Sequence, residues 1–331
     1  MKYYLILAIA YFCTTASIVM LTRENGIMAL QTAWLDTVSL APIFGQIVLV
    51  LISVGVVITR LTKFGSMRTV AVSVFMAFIA TLFFHSGFML FKSSMPYIVP
   101  FYADPTFADW DKVLHGGWDA WEITHIMAEH LPMQVLTPFY LHVWVWPAIC
   151  LPVFLVATDQ DHGRVLRTMV LYGIAWVVVG NILALAGMSA GPVFYDRIYG
   201  GDRFADLITA MTMTPDNSGY FDLIQDDLWM AYSTSGQSIG SGISAFPSVH
   251  LSISMVAALY MWERKWWLGA IGSVFVMMIL FLSVFSGYHY ALDGYFSIIV
   301  MWVAWALMRR HARAPQAVSL TNGPMPAGKI A

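Results

Sequence analysis

The chain has 331 residues, of which 59% are hydrophobic and only 11% are charged. Soluble domains carry about 25% charged residues, so this composition excludes an ordinary soluble domain and indicates an integral membrane protein. The formal net charge of −2 gives no indication of a nucleic-acid partner. The two cysteines form no CxxC pair, so neither a disulfide framework nor a zinc site is predicted.

Long hydrophobic segments follow one another along the chain, and a membrane-spanning helix needs about 20 mostly apolar residues. This rule predicts an all-α, polytopic helical bundle with about eight spans. We place them at about 3–22, 40–59, 68–91, 135–157, 168–188, 248–262, 266–286 and 288–308. The first span could be a signal peptide, but no small-x-small cleavage site follows it, which favours a retained helix. Because the sixth span is short, we expect its start to be buried in protein rather than exposed to lipid.

The spans predict a single membrane domain, 1–311, with a catalytic core at about 66–308. Two long polar loops, at about 92–134 and 189–247, connect spans within it. The remaining residues, 312–331, contain several Pro, Gly and Asn residues and are predicted to be a disordered tail.

Basic residues are distributed unevenly among the connections between spans. All but five of the 17 lie at the chain ends or in alternate connections, and those five are Arg23, Lys92, Lys112, Arg197 and Arg203. Lys and Arg concentrate in cytoplasmic loops, so both termini are predicted to be cytoplasmic and the two long loops extracytoplasmic. This orientation suits a bacterial-type inner or plasma membrane.

Two short segments carry the residues best suited to chemistry. The sequence PSVH at 247–250 begins the sixth predicted helix, and His289 and Asp293 stand at the start of the eighth. The predicted orientation places both segments at the same outer face. An ionisable residue in a membrane span is costly, which makes Asp293 a candidate functional residue. The i, i+4 spacing would place His289 and Asp293 on one helix face, where the carboxylate can fix the imidazole tautomer.

This combination predicts phosphoryl transfer. His289, oriented by the carboxylate, is placed to act as a nucleophile towards phosphorus. Protonated His250 can give its proton to the leaving oxygen. Helix N-termini favour bound phosphate, and Ser248 can offer its hydroxyl or its backbone N–H. The alternative is that these polar residues only tie helices together.

The first long loop also permits a different interpretation, as a metal site. Its candidate ligands are Asp111, His115, Asp119, Glu122, His125, Glu129 and His130. No HExxH or other tight ligand pattern occurs among them, which favours an interfacial loop with ordinary polar residues and no metal.

The two chemical segments resemble the second and third motifs of the type-2 phosphatidic acid phosphatase superfamily, the lipid phosphatases and phosphotransferases related to vanadium haloperoxidases. The second motif is usually PSGH and here reads PSVH. The third is usually SR-x5-H-x3-D, and here Leu282 and Ser283 replace Ser and Arg. The first is usually K-x6-RP, which Lys92 fits, with Val99 in the place of Arg. The resemblance covers about 240–308 well and the rest of the chain loosely.

The resemblance implies a role for each matching residue. His289 would form a phosphohistidine, Asp293 would orient it, His250 would protonate the leaving group and Lys92 would bind phosphate oxygens. No metal or other cofactor is implied. Because two arginines of the usual phosphate clamp are missing, we hypothesise that one further basic residue joins Lys92. The candidates, at the outer end of the fifth predicted helix, are Arg197 and Arg203.

The missing arginines, the HY pair in the third motif and the AGPVFY segment at 190–195 are similar to the inositol phosphorylceramide synthase branch. That branch transfers a phosphorylated headgroup between lipids. Three interpretations therefore stay open: hydrolysis of a lipid phosphate, transfer to an alcohol such as inositol or to a second lipid, and a transporter or binding protein without catalysis. The expected partners are a lipid phosphate, an alcohol or lipid acceptor, and the membrane.

Overall fold

A computed structural model describes residues 1–62, 67–213, 218–234 and 242–321. Within these ranges the chain is folded as helices without a β-strand, which confirms the predicted all-α class. In chain order the helices are α1 (Lys2–Thr22), α2 (Gly26–Thr62), α3 (Met67–Ile98), α4 (Asp104–Leu114), α5 (Ala120–Ala128), α6 (Met133–Thr158), α7 (His162–Ala186), α8 (Pro192–Tyr199), α9 (Ala205–Met213), α10 (Ser218–Ser233), α11 (Val249–Arg264), α12 (Trp266–Phe285) and α13 (Ala291–Thr321).

Among the described residues, six helices are long and apolar enough to cross a membrane: α1, α3, α6, α7, α12 and the part of α13 up to His311. The polytopic bundle is thereby confirmed, but the number of spans differs from the predicted eight. The predicted span 248–262 is α11, which has only 16 residues. The predicted span 40–59 lies within α2, which continues unbroken through Pro42. Many side chains of that half of α2 lie outside the described residues.

Helix α11 forms the centre of the bundle. It packs on α12 and α13 and also contacts α6 and α7. Its buried residues include Leu251, Ile253, Val256 and Leu259. Lipid is as apolar as these side chains, so close packing rather than exclusion from water stabilises them. A helix enclosed in this way need not span the full hydrocarbon layer, which explains why a short helix suffices here.

The two chain ends differ in part from the predicted boundaries. Helix α1 packs along α3, so the first predicted span is part of the bundle. Helix α13 continues to Thr321, past the predicted end of the membrane domain at 311. The rest of the predicted tail, 322–331, lies outside the described residues.

The starts of α11 and α13 meet at one end of the bundle, which we call the histidine end because His250 and His289 lie there. The opposite end, called the arginine end, holds the α6–α7 and α11–α12 turns. There Arg164 pairs with Asp159 at 2.6 Å and Arg167 pairs with Glu263. The grouping of basic residues agrees with the uneven charge of the sequence, and the side of the membrane that each end faces stays a prediction.

Short helices cover the histidine end in place of the two predicted long loops. The first loop forms α4 and α5, separated by Gly116 and Gly117 with positive φ angles. Reciprocal hydrogen bonds between Asp119 and Glu122 cap the start of α5. The second loop forms α8, α9 and α10. Helix α3 also extends beyond its predicted end at 91, so Lys92 lies on a helix rather than in a loop.

Candidate active site

His289 and Asp293 contact each other at the histidine end. The Nδ1 atom of His289 lies 3.4 Å from Oδ2 of Asp293. His289 precedes α13 by two residues, so it lies in a turn and not on the predicted helix face. The backbone N–H of Tyr290 donates to the same carboxylate oxygen at 3.0 Å. The second carboxylate oxygen, Oδ1, is buried without a partner among the described residues.

Ser248 joins the PSVH segment to the turn that carries His289. Its Oγ lies 3.2 Å from Nε2 of His289 and accepts a hydrogen bond from the N–H of Leu251, which caps the start of α11. Its backbone N–H faces the carbonyl of Asp293 at 3.4 Å. The two predicted segments thus form one site, although His250 and His289 are 39 residues apart in the sequence.

His250 lies between two aromatic rings. Its imidazole stacks on Tyr140 with ring centroids 4.5 Å apart, and the Trp144 ring lies tilted by 34° against it with centroids 4.0 Å apart. Trp144 also donates its indole N–H to the His250 carbonyl at 3.0 Å. Tyr140 belongs to a π-helical stretch of α6, Phe139–Val143, a feature that often occurs at functional sites. The centroids of the His250 and His289 rings are 5.9 Å apart, and the two rings meet edge to face.

Lys92 lines the same cavity as His250 and His289. Within the described chain it makes no ion pair with a carboxylate. Gly242 packs against its backbone and stem: a Cβ there would lie 2.9 Å from Cγ of Lys92, and the φ of +115° also requires glycine.

A cavity of about 520 Å³ begins at these side chains and continues between α3, α6 and α7. At one end it is lined by Lys92, His250 and His289. Further along, the walls are mostly apolar and aromatic, and include Phe88, Met89, Leu141, Trp144, Ile149 and Trp176. The cavity therefore combines a polar end with an apolar compartment at the depth of the membrane spans.

The structure does not bring Arg197 and Arg203 to this cavity. Arg197 pairs with Asp226 at 3.1 Å, and Arg203 pairs with Asp109 at 2.8 Å. Both carboxylates are on the exposed surface, and neither arginine is among the described residues that line the cavity. The two arginines were candidates for the phosphate clamp because basic residues are scarce on the predicted outer side. In the structure each forms an ion pair with an acidic side chain instead.

The positions of the missing motif arginines have other uses. Leu282, which stands at the serine position of the third motif, is completely buried in the core. The carbonyl of Ser283 accepts the backbone N–H of His289 at 3.2 Å and so helps to hold the turn. Val99 directly follows α3 and packs against the cluster that includes Phe101.

Asp104 is a residue of this region that the sequence did not single out. Its carboxylate is fully buried and accepts four donors: the N–H groups of Ala190 and Gly191 and the hydroxyls of Tyr199 and Tyr290. Burial raises the pKa of Asp104, and these hydrogen bonds only partly counteract the rise. In the sequence it stands before Pro105 at the start of α4, where it is indistinguishable from an ordinary first-turn acidic residue.

Asp111 lies about two turns after Asp104 on α4 and hydrogen-bonds to the start of α13. Its Oδ1 accepts the backbone N–H of Leu292 at 3.0 Å, directly beside Asp293. Two other candidates of the metal interpretation have partners of their own: Asp119 pairs with Lys112 at 3.2 Å, and His125 stacks on Phe285 with centroids 4.5 Å apart.

Comparison with known proteins identifies the family of this chain. Neither the curated proteins nor the solved structures give a match. A family model described as the PAP2 superfamily matches residues 105–307, which is more than half of the chain and includes both histidines and Asp293. The chain therefore belongs to the PAP2 superfamily, whose members are generally phosphatases.

Proposed function

We propose that the protein is a membrane-embedded phosphatase or phosphotransferase that acts on a lipid-linked phosphoester through a phosphohistidine. The cavity carries this proposal. Its polar end, with two histidines and a lysine, suits a phosphate group, and its apolar compartment suits the hydrocarbon chain attached to it. Such a substrate would place its phosphorus atom beside His289.

In the first step, Nε2 of His289 attacks phosphorus while the bond from phosphorus to the lipid oxygen breaks. Nδ1–H is held by Oδ2 of Asp293, which stabilises the positive charge that develops on the imidazole. Protonated His250 gives its proton to the leaving lipid oxygen. The Ser248 hydroxyl, now 3.2 Å from Nε2, turns to a phosphate oxygen when the nucleophile is engaged.

The charge of the transferred group needs cationic or dipolar stabilisation. Lys92 supplies the cation. The first backbone N–H groups of α11, at Val249 and His250, have no acceptor within their own helix and supply the dipole. Lys92 and the start of α11 thus form the phosphate clamp of this proposal, without Arg197 or Arg203.

In the second step, neutral His250 takes a proton from an acceptor whose oxygen attacks phosphorus, and the bond to His289 breaks. Water as the acceptor gives free phosphate, whereas an alcohol or a second lipid gives transfer. Both outcomes use the same residues, so the acceptor decides the reaction class.

One observation favours the transferase branch, similar to inositol phosphorylceramide synthases. One of the segments that carry that resemblance packs directly before the other: Gly191, with a φ of +91°, packs against the carbonyl of Tyr288, and Val193 donates its N–H to the Gly287 carbonyl at 3.0 Å. The AGPVFY segment therefore contacts the two residues that precede the HY pair and the proposed nucleophile. This contact supports an inositol phosphorylceramide synthase-like transferase as the second candidate function.

The test uses detergent-purified protein and a panel of lipid phosphates, with and without inositol and diacylglycerol as acceptors. Phosphate release and new lipid species are followed for the native protein, His289→Ala and the control His142→Ala, a histidine exposed on α6. We expect turnover and an acid-labile phosphoenzyme in the native protein and the control, and neither in His289→Ala. Turnover that survives His289→Ala would contradict the proposal, and lipid transport that survives would favour a non-catalytic role.

A further inference from the structure

Asp104 is a buried carboxylate that three segments of the chain share. It projects from α4 to the backbone N–H groups of Ala190 and Gly191, to the hydroxyl of Tyr199 at the end of α8, and to the hydroxyl of Tyr290. No Lys, Arg or His forms an ion pair with it in the described ranges. A buried carboxylate without a cation is costly, so a carboxylate held by neutral donors calls for an explanation.

Tyr290 connects this carboxylate to the proposed nucleophile. Its hydroxyl donates to Oδ1 of Asp104 at 3.1 Å, and its backbone N–H donates to Oδ2 of Asp293 at 3.0 Å. Tyr290 is therefore fixed at both ends by carboxylates, and His289 is the residue directly before it. Since the His289–Asp293 contact is already long at 3.4 Å, a small rotation of the turn would break it.

We propose that Asp104 is a positioning residue for His289: by holding the Tyr290 hydroxyl, it fixes the turn that aims the imidazole at the substrate phosphorus. This inference rests on the proposed phosphohistidine chemistry. Asp104 does not touch the substrate and is not among the described residues that line the cavity. It acts only through the geometry of the turn, where a misplacement of about 1 Å can cost on the order of 10²-fold in rate.

The chain provides a matched pair of tyrosines to separate positioning from stability. The hydroxyls of Tyr199 and Tyr290 both donate to Asp104 at 3.1 Å. Only Tyr290 adjoins the nucleophile, whereas Tyr199 ends α8. Tyr290→Phe and Tyr199→Phe therefore remove the same kind of hydrogen bond from the same carboxylate. A purely structural carboxylate would make the two variants alike.

The experiment measures kcat and KM on the best lipid phosphate of the panel, together with the affinity for orthovanadate by titration calorimetry. Vanadate takes the five-coordinate shape of the phosphoryl-transfer transition state, so its binding reports the aim of His289 without turnover. The variants are Tyr290→Phe, Tyr199→Phe and Asp104→Asn. Asp109→Asn, at an exposed position of the same helix, is the control, and His289→Ala defines the loss of vanadate binding.

We expect Tyr290→Phe and Asp104→Asn to lower kcat and vanadate affinity by about 10- to 100-fold with little change in KM. Tyr199→Phe and Asp109→Asn should stay within about twofold of the native protein. Equal effects of the two tyrosine variants on both readouts would overturn the inference. If Asp104→Asn does not fold, the tyrosine pair still decides.

The failure of the proposed function has a different signature. Native protein without His289-dependent turnover on any lipid phosphate would refute that function. The vanadate titrations would then still compare Tyr290→Phe with Tyr199→Phe. A selective loss in Tyr290→Phe would support the positioning role, and equal affinities would overturn it.

Discussion

The two ends of the bundle hold their buried carboxylates with different partners. At the arginine end, Asp159 pairs with Arg164 at 2.6 Å, and Glu263 pairs with Arg167. At the histidine end, Asp104 accepts only backbone N–H groups and tyrosine hydroxyls. Cations neutralise the carboxylates at one end, and neutral donors solvate the carboxylate at the other.

The difference determines which cations a ligand can reach. A guanidinium that is bonded to a carboxylate, as at the arginine end, is not available to a phosphate. At the histidine end the buried Asp104 is held by neutral donors, and the Lys92 ammonium makes no ion pair with a carboxylate in the described chain. We infer that the use of neutral donors keeps the phosphate site of the proposed enzyme cationic.

The largest expected effect comes from removing the charge of one carboxylate at each end. Asp293→Asn should lower kcat by about 10³- to 10⁴-fold, because the amide no longer holds the imidazole in the reactive tautomer. Glu263→Gln, at the other end of the same helix bundle, should keep kcat within about twofold. Steady-state kinetics of the two purified variants checks the prediction, and a comparable loss in both would remove the distinction between the ends.

A smaller effect is expected when one cation is removed at each end. Lys92→Met keeps the apolar stem and should lower kcat/KM by about 10²- to 10³-fold, because one stabiliser of the phosphoryl charge is lost. Arg167→Met should leave kcat/KM nearly unchanged but destabilise the protein by about 3 kcal/mol, since Glu263 loses its partner. Kinetics combined with thermal unfolding in detergent separates the two outcomes. A normal kcat/KM in Lys92→Met would contradict the proposed clamp.

The two ends should also respond differently to acid. Burial acts to raise the pKa of Asp159, but hydrogen bonds from Arg164, from the Asp161 backbone and from Tyr260 outweigh it and hold the pKa below its usual value. Its stabilising effect is therefore lost only below about pH 4. The pKa of Asp104 is raised by burial, so its protonation lies at higher pH and relieves the cost of a buried charge.

As the pH falls from 7 towards about 4, the ordinary pKa of an aspartate, we thus expect the thermal midpoint of the native protein to rise relative to Asp104→Asn. Over the same interval the difference between the native protein and Asp159→Asn should stay constant. Thermal unfolding of the three proteins at both pH values is the measurement. The assignment of the two environments would be wrong if the difference in thermal midpoint from the native protein changed with pH for Asp159→Asn but not for Asp104→Asn.

The smallest effect is expected for the two arginines at the surface of the histidine end. Arg197→Ala and Arg203→Ala each break one exposed ion pair, which contributes about 0–1 kcal/mol. Activity on the best lipid phosphate should stay within about twofold in both. A loss of more than tenfold in either variant would restore that arginine to the phosphate clamp.

The sequence predicts those features that depend on local information. The apolar length of α1, α3, α6, α7 and α12 is enough to indicate membrane spans. His250, His289 and Asp293 stand out because ionisable residues are rare in such segments and their spacing matches a known motif. The structure brings these three together, although His289 lies in a turn rather than on a helix.

Features that depend on distant contacts were not predictable. Asp104 meets Ala190 and Tyr290, which are 86 and 186 residues away along the chain. Arg197 and Arg203 were candidates because basic residues are scarce on the predicted outer side. The sequence does not reveal that they pair with Asp226 and Asp109. The predicted span 248–262 corresponds to α11, which has only 16 residues, and its sequence alone does not show that other helices enclose it.

The cavity joins a polar end to an apolar compartment, and this has a consequence for the direction of the proposed reaction. The two products of hydrolysis differ in solubility: phosphate dissolves in water, whereas the dephosphorylated lipid stays in the hydrocarbon. After release, each would be diluted into a different phase. Reversal requires both to return to His289 at once, so phase separation drives turnover forward without an external energy source.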